Sequence, residues 1–289
     1  MTSTGTVTDL YERGIATQLT MFECFEISAK LQGDLETLDS LNSIRIRVMR
    51  ATRAMDSLLA ILSNPATNRR KDVVEHAGEA FDRQLLYLAA AFDIYGRRFL
   101  QLIDPTRDPR KYRFSLDASG FVTDHLEKEY EADLLSDLRH LHVYATVCKE
   151  LRNHIHDGIL PIDQHPGRNY GNSLSIALSL DAIPELLPRT ANNRLSQEHY
   201  DQLGAWRTQP VDFSDVPTTV IDLATVSVTL MRAGISLIDE FSKLIMLHEP
   251  RAASAPSPLL GSVQDSTEDE LLPHLDEELH SALFGWWPA

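Results

Sequence analysis

Apolar residues recur along this chain at steps of three and four, the spacing that gathers them on one side of an α-helix. From Asp9 to Lys30 the stripe is Tyr11, Ile15, Leu19, Phe22 and Ala29, and Gly33 supplies a C-terminal stop. From Asp34 to Leu62 it is Ile44, Val48, Ala51, Met55, Leu58 and Leu62, ended by Asn64-Pro65. The two segments predict an antiparallel helical hairpin. The longest stripe, Val74, Ala77, Phe81, Leu85, Leu88, Phe92, Tyr95 and Phe99, predicts a central core helix over 72–103. After a loop with Asp104-Pro105 and Asp108-Pro109, another stripe (Leu134, Leu138, Leu141, Ala145, Cys148, Leu151, Ile155) runs up to Gly158. The period then falls to two: Leu174, Ile176, Leu178 and Leu180 alternate with small or polar residues, the pattern of a half-buried strand. Residues 113–117 or 211–213 are its expected partners. A last helix is expected from Pro217 to His248 through Val220, Ala224, Met231, Ile238, Phe241 and Ile245. The expected fold is mainly all-α, an up-down bundle with a minor β element near 170–180.

Beyond Glu249-Pro250 the composition changes. Residues 251–258 are rich in Ala, Ser and Pro, as in a flexible linker, and residues 251–289 hold seven acids against Arg251 alone. The chain ends with Leu283, Phe284, Trp286 and Trp287, large apolar groups that call for a docking surface on this chain, a second copy or a partner. The organisation read from this is a helical hairpin over 1–64, a helical core over 65–250, and an acidic linker with a docking tail over 251–289. No apolar run reaches the length of a membrane span, and the first eight residues are polar, so a cytoplasmic protein that does not enter membranes is expected. Cys24 and Cys148 fall within apolar helical stretches and read as reduced core thiols. The formal charge of −15 argues against nucleic-acid binding through a broad basic surface, although a small site that engages RNA transiently tolerates it.

The candidate chemistry lies where the fourth stripe ends, at Leu151-Arg152-Asn153-His154-Ile155-His156-Asp157-Gly158. Arg152 and His156 are one helical turn apart and share a face at the rim of the buried stripe. His154 is rotated by about 160° from His156 and belongs to another surface. An arginine that holds a phosphoryl group and a histidine that moves a proton suffice to cut RNA without a metal, because the ribose 2′-hydroxyl is the nucleophile. The negative end of the helix dipole and the adjacent Asp157 favour a histidinium there. The same residues can instead cap the last carbonyls and pair with acids, a purely structural role. A metal reading would gather His140, His142, Cys148, His154 and His156, but histidines two apart on a helix point away from each other, so neither His-x-His pair is expected to chelate, and no cofactor motif is present.

The run Arg152-Asn153 followed by His156 resembles the Arg-Asn…His motif of HEPN domains, compact helical domains found in RNases of toxin–antitoxin and antiphage systems. Three residues separate Arg152 from His156, a shorter gap than is usual in that family. The resemblance implies a homodimer in which Arg152 and His156 from two subunits line a shared cleft, and metal-independent endoribonuclease activity with no cofactor. It implies an RNA substrate and, for a toxin, a neutralising partner. Arg152 would steady the phosphorane, Asn153 would orient the arginine or the phosphate, and His156 would transfer the proton. HEPN-like sites also draw an acid from a neighbouring helix to orient the arginine, which points to Asp93. Read from spacing alone, Asp93 and Arg97 form an intrahelical ion pair. The alternative function is a catalytically inactive helical scaffold or interaction subunit of a defence or regulatory complex.

Overall fold

The computed structural model describes residues 19–63, 72–103, 115–118, 120–128, 130–166, 174–187, 195–208 and 217–248. The predicted turn after Asp104, residues 211–213, the start of the first helix and the acidic tail lie outside them. Within them the protein is mainly helical, with one small antiparallel sheet.

Helix α1 (Thr20–Gln32) ends where Gly33 adopts φ 68°, and its N–H returns to the Ala29 and Lys30 carbonyls. No local side chain caps the start of α1. Asp239, far away in sequence, does so by accepting hydrogen bonds from the Met21 and Phe22 N–H groups at 2.7 and 3.0 Å. Asp34 caps α2 (Leu35–Ser63) through the Thr37 N–H at 3.0 Å. Helix α3 (Val73–Ile103) runs back along α2, with buried Arg98 reaching Asp34 and Glu36 at one end of the pair and Arg50 lying over the Tyr87 ring nearer the middle. A 3₁₀ turn over Ala132–Leu135 leads into α4 (Ser136–Asp157).

The period-two segment forms β2 (Leu174–Ser179), whose Ile176 and Leu178 are buried as its alternation requires. Its partners differ from those expected. It pairs with β1 (Ile162–Pro166) on one side and β4 (Thr219–Asp222) on the other, and β3 (Ala205–Arg207) completes the order β1-β2-β4-β3. Residues 115–117 instead pack as an irregular segment on α3, where the Leu116 N–H bonds to the Phe92 carbonyl. The last helix also starts later than Pro217. Thr219, Val220 and Ile221 are β-branched and extend as β4, and Asp222 then caps α6 (Leu223–His248) by accepting the Thr225 N–H at 2.8 Å. A short helix, α5 (Gln197–Gln202), precedes β3.

The first three helices alternate in direction. Helices α3 and α6 run the same way, as the pairs Gln84 with Ser227 and Tyr95 with Ser242 show, and Gly234 lets α6 close on Leu88. Helix α4 also follows α3, with Cys148 beside Leu85 and Arg152 beside Asp93. The long crossovers over 104–135 and 158–222 permit this. One continuous apolar core passes from Phe22 and Leu41 through Phe92 and Tyr95 to Phe241, so residues on either side of position 64 share it. No helix among the described residues is long and apolar enough to cross a membrane.

Two local features carry stability predictions. Gly204 turns the chain between α5 and β3 at φ 73°, and a Cβ there would lie 2.9 Å from Thr225 Cβ, whereas a Cβ at Gly33 meets nothing within 4 Å. Gly33→Ala is therefore expected to cost about 1 kcal/mol and Gly204→Ala about 2–3 kcal/mol. Equal losses in urea titrations would show that the Thr225 contact is immaterial. Asp56 has an unpartnered buried Oδ1, and burial pushes its carboxyl up from 3.8 to about 6. Because the folded value is the higher one, its contribution to stability is full below pH 3.8 and is lost as the pH rises through about 6. Asp56→Asn should stabilise the protein at neutral pH by about 1–2 kcal/mol after solvent screening, and should flatten that acid-side decline. Unfolding curves that keep the wild-type slope in this variant would assign the decline to other acids.

Candidate functional site

The end of α4 is held by its buried stripe. Leu138, Ala145, Cys148 and Leu151 face the core, and Ile155 packs partly against it. The helix stops at Gly158, whose N–H reaches the His154 carbonyl at 2.9 Å with φ 176°. That φ is extended backbone open to any residue, so the stop does not depend on glycine. Arg152 leaves this end toward α3 and is mostly buried, with 22% of its side chain exposed.

Arg152 Nη1 lies 3.8 Å from Asp93 Oδ2, and Nη2 donates to Asn153 Oδ1 at 3.2 Å. Asp93 thus faces Arg152 across the α3–α4 contact. Arg97 is exposed, and no ion pair joins it to Asp93 among the described residues. The intrahelical pairing read from spacing is not formed: α4 offers a partly buried guanidinium where Arg97 turns outward. Arg152, Asn153 and Asp93 therefore come together. His156 is exposed one turn further on, and among the described residues no hydrogen bond joins it to Arg152, whose partners are Asp93 and Asn153.

A second acid stands at this place that sequence reasoning missed. Asp117 is 1% exposed, in the segment that Leu116 ties to α3 and that His142 on α4 ties down by bonding to the Ala118 carbonyl at 2.9 Å. Burial raises the Asp117 carboxyl above the usual carboxylate range. The neighbouring Ser115 hydroxyl works against that rise, Asp93 adds to it, and Arg152 and Lys149 oppose it. Cys148, fully buried, has its thiol pushed up by burial and further by Asp117, which makes it an unreactive packing group. Cys24 is half-buried and also free. Asp117 sits in an aperiodic stretch, so its only sequence signal is a lone acid between apolar neighbours.

The arrangement is a cationic group mostly withdrawn from water, flanked by two carboxyls and an amide, with a histidine at its outer margin. It can accept an anion at the exposed edge of the guanidinium and offers His156 as a proton carrier nearby. A groove of about 500 Å³ lies elsewhere, between α4, α5 and α6, lined by residues including His140, Tyr144, Gln202, Thr229 and Arg232. Comparison with protein families, with curated proteins and with solved structures finds no match to this chain.

Proposed function

We propose that the protein is a HEPN-like, metal-independent endoribonuclease of a toxin or antiphage system. The observation that carries this reading is the Asp93–Arg152–Asn153 cluster at the end of α4, with exposed His156 one turn beyond it. Arg152 would stabilise the charge that develops on the phosphorus oxygens as the 2′-hydroxyl attacks and gives its proton to solvent, and His156 would protonate the leaving 5′-oxygen as the P–O5′ bond breaks. The product is a 2′,3′-cyclic phosphate. As the HEPN resemblance implies, the reading includes a homodimer that brings two copies of the site to one cleft. Incubation of the purified protein with a mixed RNA pool in EDTA tests it. Cleavage with cyclic-phosphate ends is expected, and dependence on added magnesium or zinc would replace it with a metal mechanism. Light scattering that returns a monomer mass at micromolar concentration would remove the shared cleft.

The scaffold reading has its own support. Arg152 is mostly buried between carboxyls, as a structural ion pair between packed helices would be. An intact, dimeric protein that leaves RNA uncut would select it.

A further inference from the structure

Besides the Ser115 hydroxyl, two buried atoms of the Arg152 cluster have no hydrogen-bond partner: Asp117 Oδ2, an acceptor, and Arg152 Nε, a donor. They belong to side chains close enough for the charge of each to act on the other. An unpaired buried donor and an unpaired buried acceptor each cost free energy, and that cost falls if the two can engage. The segment that carries Asp117 is anchored at both ends of its short course, by Leu116 N–H on the Phe92 carbonyl and by His142 on the Ala118 carbonyl. The carboxyl is therefore held in place rather than free to seek solvent. The groups that face it are Asp93 from α3, Cys148, Lys149 and Arg152 from α4, and Ser115 from its own segment.

We propose that Asp117 is a positioning residue whose proton controls Arg152: ionised, it draws the guanidinium Nε–H inward, and protonated, it leaves the arginine to a phosphodiester. The inference rests on the reading of Arg152 as the phosphoryl-binding cation. The sign follows from charge. With Asp117 ionised, the two acids Asp93 and Asp117 balance the two cations Arg152 and Lys149. With Asp117 neutral, the cluster carries one net positive charge at its outer edge, where an RNA phosphate would bind. Binding of the phosphate and protonation of Asp117 must then favour each other. Burial raises the Asp117 carboxyl above the usual carboxylate range, in the direction that favours the protonated form.

The test has an arm in the free protein and an arm with a probe. In the uncomplexed wild-type protein, the Asp117 ¹³Cγ and Arg152 ¹⁵Nε resonances are followed against pH, with Arg152→Lys used to assign the arginine signal. A shared midpoint above the usual carboxylate range is expected, and separate midpoints, or an arginine signal that does not move, overturn the proposal. In the second arm, affinity for a 2′-O-methylated RNA dinucleotide is measured from about pH 5 to about pH 8 in wild type and Asp117→Asn. The two proteins share every other titratable group, so the difference between the two curves isolates Asp117. As the pH rises, wild-type affinity should fall by about tenfold more than that of the variant, one pH unit of coupling being a factor of ten. Parallel curves overturn the control of binding. A probe that fails to bind wild type, with the two resonances still sharing one midpoint, overturns the RNA reading and leaves the Asp117–Arg152 coupling standing.

Discussion

His156→Ala is expected to leave the protein folded and to lower RNA cleavage by about 10²- to 10⁴-fold, the usual worth of a positioned proton carrier. His156 is exposed at the end of α4, so its side chain contributes little packing, and its loss leaves no buried group unpaired. The corresponding change at Arg152 is a poorer test. Arg152→Ala would leave Asp93 and buried Asp117 facing each other with only Lys149 to offset them, and lost activity could then reflect a loosened helix end. His156→Ala should therefore be read first, with melting curves to show that stability is kept. Cleavage at the wild-type rate by this variant would remove His156 from the reaction.

Why Arg152 and His156 could be placed on α4 from the sequence, and Asp117 could not be placed beside them, is a matter of period. Helices α2, α3 and α4 each bury a continuous stripe, and once its phase is known every other residue on the helix has a place relative to the core. That phase alone sets Arg152 beside Cys148 and Leu151 at the rim of the stripe. Partners across a helix contact are harder. The i, i+4 rule pairs Asp93 with Arg97, but burial in α3 leaves Arg97 outside and sets Asp93 against α4, so a tertiary contact overrides a local one. Asp117 lies where no period operates, and its position is fixed by the Phe92 carbonyl and by His142, both distant in sequence. The start of α6 was obscured for a different reason. Val220 fits the phase of the helical stripe, yet Thr219, Val220 and Ile221 complete a sheet whose other strands lie at 162–166, 174–179 and 205–207.

Phe241→Ala is expected to cost about 3–5 kcal/mol, the usual range for removing a buried phenyl group from a tight core. Its ring lies 5.2 Å from Tyr95, 4.6 Å from Phe99 and 5.3 Å from Phe121, each in an edge-to-face arrangement. This one side chain of α6 thus joins helix α3, which carries Asp93, to the π-helical turn over Phe121–His125 that follows Asp117. Phe121 in turn lies against His142, the residue that holds the Ala118 carbonyl. The cavity left by alanine should therefore loosen the Asp117 segment more than the far end of the α2–α3 hairpin. Hydrogen exchange at the Leu116 N–H, bonded to the Phe92 carbonyl, should accelerate more than exchange within α2 near Leu58. Phe241→Leu retains most of the buried volume and should cost less than about 2 kcal/mol, with the Leu116 N–H still protected. If Phe241→Ala unfolds within about 1 kcal/mol of wild type, or if exchange quickens evenly across the fold, the aromatic cluster is not what holds the Asp117 segment against Arg152.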